Sequence, residues 1–158
     1  MSGIEIEICD NQDALAIDRG QLVQTVKYVL QQMRVSKAQI SLAIVDEATI
    51  RELKEKYFGV SEVTDVISFD LRDQDRQEPN GLQKTVDCDI VVNAQVAVRT
   101  ARQQGGDPLA ELNLYVVHGL LHQLGYDDQT DQHAEIMHKK EDQFLEELGF
   151  GKVFGGLE

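Results

Sequence analysis

Ile4, Ile6 and Ile8 alternate with Glu5 and Glu7, the period-two pattern of a strand with one wet face and one buried face. The period then changes. From about Arg19 to Arg34, Leu22, Val23, Val26, Val29, Leu30 and Met33 recur at helical spacing and predict an amphipathic helix. Ile40–Val45 reads as a second strand, and Asp46 is placed to cap a short helix running to about Tyr57. Val63–Asp70 and Asp87–Val92 read as two further strands. The polar connection between them, Leu71–Val86, carries the turn signal Pro79-Asn80-Gly81. A connection of that length is often functional or mobile.

Ala94 to about Gln104 reads as a helix stopped by Gly105-Gly106, after which Asp107-Pro108 supplies an N-cap and a favoured first helical residue. The helix that follows, about Pro108 to Leu124, is apolar on most sides, which marks a buried helix. A last helix is expected from about Asp131 to Leu148, ending at Gly149. No repeat, low-complexity segment or linker interrupts the pattern. The order is strand, helix, strand, helix, strand, strand, then three helices. It predicts an α+β fold: a single domain over residues 1–158, with a small, mixed four-stranded sheet packed with helices.

The expected buried helix carries His118 and His122. Histidines four apart on a helix project from one face, one turn above the other, so their imidazoles can share a metal ion. Gly125 can end the helix in a left-handed conformation, and the returning chain can then present Asp128 as a third ligand. Two nitrogens and a carboxylate leave a tetrahedral zinc with one open position, which describes a catalytic site better than a structural one. The plainer alternative is two ordinary histidines, but burying them unpaired in an apolar helix is costly. Zinc peptidases of the His-Glu-x-x-His kind carry a general-base glutamate beside the first histidine. Here that position is Gly119, which disfavours proteolysis, and no catalytic residue beyond the three ligands is assigned.

Composition narrows the setting. The chain has 158 residues and is 42% apolar, ordinary for a soluble domain. It has no apolar stretch long enough for a membrane span and no secretory pattern at its start. Cys9 and Cys88 match no zinc-binding spacing and suit reduced thiols in the cytoplasm. Net charge is −13, a balance that repels nucleic acid on average, so an RNA enzyme of this composition needs a local basic groove or a basic partner. Arg99 and Arg102 stand in an acid-free stretch, whereas residues 126–158 hold nine acids against three lysines. That acidic part reads as a solvated helix face or as a surface that docks onto a basic protein.

The segment His118-Gly-Leu-Leu-His122-Gln-Leu-Gly125-Tyr-Asp-Asp128 resembles the hallmark of the YbeY family of bacterial endoribonucleases, His-Gly-x-Leu-His-Leu-x-Gly-Tyr-Asp-His. Thr64-Asp65-Val66-Ile67-Ser68-Phe69 resembles that family's Thr-Asp-Val-Leu-Ser-Phe. Cys88-Asp89-Ile90 resembles its Gly-Asp-Ile, and Ala134-Glu135 and Met137 fall where the family has them. The resemblance runs from about Ile4 to Gly149. It implies one zinc per chain on His118, His122 and Asp128, and cleavage of single-stranded RNA in ribosomal RNA maturation and ribosome quality control. It also implies a ribosomal subunit or a basic ribosomal protein as partner, and no membrane. Three departures bear on chemistry. Asp128 replaces the usual histidine and adds a negative charge. Phe58 stands where the family's Tyr-Arg-Gly has an arginine thought to matter for RNA cleavage. Val60 replaces a position that is often lysine. Two alternatives stay open: a zinc hydrolase of a non-RNA substrate, and a ribosome-assembly binding module with weakened or lost catalysis.

Around the motif, His133 and His138 lie on the last expected helix, and His133 reads as a surface residue or, being near in sequence, as a support to the site. Asp127 is expected to bond a ligand imidazole or fix the turn, or else to be a plain loop aspartate. Thr64, Asp65 and Ser68 are expected to line the cleft or anchor a strand. Cys88 reads as a small core residue.

Overall fold

The structure, a computed structural model, describes residues 3–72 and 84–151. Along the chain run β1 (Ile4–Asn11), α1 (Arg19–Gln32), β2 (Val35–Val45), α2 (Glu47–Phe58), β3 (Val66–Asp70), β4 (Lys84–Asn93), α3 (Ala94–Gln104), α4 (Pro108–Gln123) and α5 (Asp131–Glu147). This is the expected element order. The sheet runs β1-β2-β4-β3. Pairs β1/β2 and β2/β4 are parallel, and β3 joins β4 antiparallel at the edge. The fold is therefore α+β on a mixed four-stranded sheet.

Alternation along the strands sorts the sheet into two unlike faces. Ile40, Leu42 and Ile44 of β2 and Val86, Cys88, Ile90 and Val92 of β4 are buried on one face, within the core that α1, α4 and α5 share. The other face is only partly covered: α2 packs Ile50 and Leu53 against Val45, Ile67, Phe69 and Val91. Cys88, 1% exposed, lies in the main core as expected, and burial pushes its thiol up to about 12.

Helix α4 is the centre of the molecule. Twelve of its sixteen residues are buried; past its first turn, only His118 and His122 are not. Its start is capped as expected, with Asp107 accepting from the N–H of Leu109 at 2.9 Å. A buried polar knot ties it to α1: Thr25 donates to Asn113 Oδ1 at 2.6 Å, and Asn113 donates to Gln21 at 3.1 Å and to the Leu109 carbonyl at 2.8 Å. Gly119 permits the close approach of α4 to the sheet, because a Cβ there would meet Ile90 Cγ2 at 3.0 Å.

The boundaries differ from expectation in three places. β2 begins at Val35 rather than Ile40, because Ser36 and Lys37 break the alternation where the register shifts between Val35 and Lys37. β3 begins at Val66 rather than Val63: the Thr64 and Asp65 carbonyls accept from the side chain and backbone N–H of Asn93 instead of a regular ladder. β4 begins at Lys84, so the long connection is shorter than expected. Its turn signal, Pro79-Asn80-Gly81, lies outside the described residues.

Candidate metal centre

The last turns of α4 bring the two histidines together edge-on. Their Nε2 atoms are 3.0 Å apart, with ring planes inclined at 80°. The helix then stops. Gly125 takes φ 100°, and Tyr126 donates back to the Leu121 carbonyl at 3.0 Å. That left-handed reversal is open to glycine at little cost. It swings Asp128 over the histidines, with Oδ2 3.8 Å from His118 Nε2 and Oδ1 3.8 Å from His122 Nε2. The candidate ligand atoms of His118, His122 and Asp128 all lie within 4.8 Å of one another. Tetrahedral zinc with bonds of about 2.0–2.2 Å sets its ligands about 3.3–3.5 Å apart, a span that the 3.0 and 3.8 Å separations bracket. The donor set, two imidazoles and a carboxylate, suits zinc.

A fourth group completes the arrangement. Glu141 reaches from α5 to place Oε1 3.0 Å from His118 Nδ1. Burial opposes protonation of the His118 ring. The bond to Glu141 and the charges of Glu141, Asp65 and Asp128 outweigh it and raise the pKa above the usual 6.5. Sequence reasoning missed Glu141, though a signal existed. On α5, Met137, Glu141, Phe144 and Leu145 follow helical spacing on one buried face, and a lone carboxylate in an apolar stripe needs a specific partner.

The other expected residues divide. Asp127 fixes the turn: it accepts from the N–H of Gln129 at 3.2 Å and pairs with His133 Nδ1 at 3.0 Å. Those bonds hold its carboxyl below the usual range. His133 is an exposed residue engaged there, outside the three-residue cluster. Ser68 anchors the end of α4 by accepting from Gln123 Nε2 at 3.0 Å. Thr64 braces the loop before β3, while Asp65 lies close enough for its charge to act on His118. Phe58 and Val60 are 50% and 46% exposed. The Phe58 ring stacks on Phe69 at 5.8 Å, with Lys54 Nζ 5.2 Å from its centroid. Of the two arginines in the acid-free stretch, Arg99 is paired with Glu47 at 2.6 Å.

A family model described as Endoribonuclease YbeY matches residues 7–149. The chain belongs to the YbeY family. Among curated relatives, the Endoribonuclease YbeY of Moorella thermoacetica is 36% identical over 137 residues, covering 82% of this chain and 88% of the relative. That of Shouchella clausii is 31% identical over 157 residues, covering 94% and 98%. The solution structure of TM1509 from Thermotoga maritima superposes with a TM-score of 0.59 at 24% identity, over 90% of this chain and 88% of that one. At that identity the likeness speaks to fold alone. In the YbeY pattern set out above, the histidine pair and Gly125-Tyr126-Asp127 recur in this chain, and the departures that bear on chemistry are Asp128, Phe58 and Val60.

Proposed function

We propose that this YbeY chain is a zinc-dependent endoribonuclease that cuts single-stranded RNA in ribosomal RNA maturation and ribosome quality control. The observation that carries the reading is the convergence of His118, His122 and Asp128 at the exposed end of a buried helix, in a family named for endoribonuclease activity. His118 and His122 hold one zinc through Nε2 and Asp128 through a carboxylate oxygen, within one domain spanning residues 1–158. When bound, the metal supplies Lewis-acid polarisation of a phosphoryl oxygen and acidifies water. Glu141 keeps a proton on His118 Nδ1. The histidine side chains, 20% and 33% exposed, stay open to an extended strand, which can be threaded where a duplex cannot.

The site is poorly suited to peptide hydrolysis. Position 119 faces Ile90 and Val66 in the core, so a general-base glutamate has no room beside His118. The cytoplasm is the natural setting for this chemistry. Among the described residues, no helix is long and apolar enough to cross a membrane. A basic ribosomal protein, alone or within a subunit, is the proposed macromolecular partner. A groove of about 500 Å³ on the partly covered sheet face supports it, apolar at Leu53, Phe69 and Val91 and acidic at Glu7 and Asp89.

A second reading, a ribosome-assembly module without catalysis, is favoured by Phe58 and Val60. An aromatic ring can stack on a base but cannot meet a phosphate charge. The deciding experiment is cleavage of single-stranded RNA by wild type and by His122→Ala, prepared identically. Cutting by wild type alone supports the enzyme. Cutting by both removes the metal centre from the reaction. Cutting by neither, with ribosome binding retained, favours the module.

A further inference from the structure

Burying a carboxylate without a counter-charge is costly, and breaking a buried pair strands the charge left behind. Glu141 is such a group. It is 0% exposed, on the face of α5 that otherwise presents Met137, Phe144 and Leu145 to the core. Its one ion-pair partner among the described residues is His118, through Oε1 at 3.0 Å. Oε2 is buried with no hydrogen-bond partner among those residues. Packing alone accounts for neither oxygen, since a leucine would satisfy an apolar stripe at no electrostatic cost.

We propose that Glu141 is the positioning residue for the metal centre. It accepts the His118 Nδ1–H, leaving Nε2 as the ligating atom and holding the ring in its orientation toward His122 and Asp128. The inference rests on the metal-centre reading above. A neutral imidazole has a single N–H, and a ring protonated at Nε2 cannot ligate there. With Glu141 at Nδ1, the proton has one place to sit. The charge also closes: a divalent ion, Asp128 and Glu141 sum to zero, and the orphaned carboxylate is met through the imidazole. The two histidines are therefore unequal. His118 is held from behind by α5, whereas His122, the more exposed at 33% against 20%, depends on the metal for its orientation. Helix α5 supplies no ligand yet belongs to the site, so metal retention and the docking of α5 on α4 are coupled.

The test uses the full chain and zinc alone. Affinity is read by competition with a chromophoric chelator, and the melting of the metal-free form is read in parallel. Long-range proton–nitrogen spectra of the zinc-loaded protein report the His118 tautomer. Wild type should bind zinc with the proton on Nδ1. Glu141→Leu should bind about 10–100-fold more weakly in the fraction that is folded, beyond any fall in the melting temperature of its metal-free form. Glu141→Gln, whose amide oxygen still accepts but carries no charge, should recover part of the loss and keep the tautomer. A purely structural role would lower the metal-free melting temperature and leave the affinity of the folded protein unchanged. If Glu141→Leu fails to fold, Glu141→Gln decides alone, and wild-type affinity there overturns the proposal. If wild type itself binds no zinc, the metal-centre reading falls and takes this one with it. If wild type binds and the folded variants match it, only the role of Glu141 falls.

Discussion

Replacing Gly119 with alanine tests whether this position is set by packing. α4 meets the sheet closely there: an added Cβ would lie 3.0 Å from Ile90 Cγ2, 3.4 Å from Val66 Cγ2 and 3.6 Å from Ile90 Cδ1. Ile90 is 0% exposed and β-branched, so it has little freedom to turn away. Two effects compete. Alanine gains about 0.8–1.0 kcal/mol over glycine in a helix interior. Forcing a methyl into a packed core costs about 1–3 kcal/mol. The contact should win, leaving Gly119→Ala less stable by about 1 kcal/mol, or about 2–4 °C in Tm for a domain of this size. Urea denaturation of the metal-free protein reads this as a lower midpoint at unchanged slope. A variant more stable than wild type by the helix-propensity increment would refute the packing argument. It would also reopen position 119 to a functional side chain. Gly119→Glu should be far worse, because it buries an unpaired carboxylate against Ile90 and Val66.

Asp128→Ala should weaken zinc retention sharply, since it removes the only anionic member of the cluster; a competition titration with undiminished affinity would break the three-ligand assignment. The His118 pKa is raised in the metal-free fold. Protonated His118 therefore stabilises that fold fully below its unfolded value near 6.5, and the contribution is lost as pH rises through the higher folded value. Chelator-treated wild type should lose this increment on going to alkaline pH, and His118→Gln should lack that part of the change in denaturation midpoints. Zinc affinity should move the opposite way, rising with pH as the proton leaves the ring. Phe58→Arg should strengthen RNA binding and steepen its salt dependence by about one phosphate contact; an unchanged slope in filter-binding titrations would place residue 58 away from the strand.

The element order was legible because each segment has a clear period. β1 alternates isoleucine with acid, and α1 buries Leu22, Val26, Val29 and Leu30 at helical spacing. The helix starts were legible because Asp46 and Asp107 have carboxylates of the right reach for the first free N–H groups. Prediction failed where periodicity weakens. Ser36 and Lys37 hid the start of β2, and the bonds of Asn93 kept residues 63–65 out of β3.

The candidate metal site itself was determined locally. His118 and His122 share a helix face by spacing, Gly125 permits the reversal, and Asp128 follows within reach. All of that lies within eleven consecutive residues, so short-range geometry sufficed. Only the tertiary structure decided what surrounds it. Glu141 reaches His118 from 23 residues away because α5 packs on α4. Position 119 is closed because β4 lies against that side of α4. Phe58 rests on Phe69 because α2 covers one end of the sheet. Contacts of that kind depend on which buried surfaces meet, and a buried helix, apolar on nearly every side, does not reveal in its own pattern which neighbour takes which face.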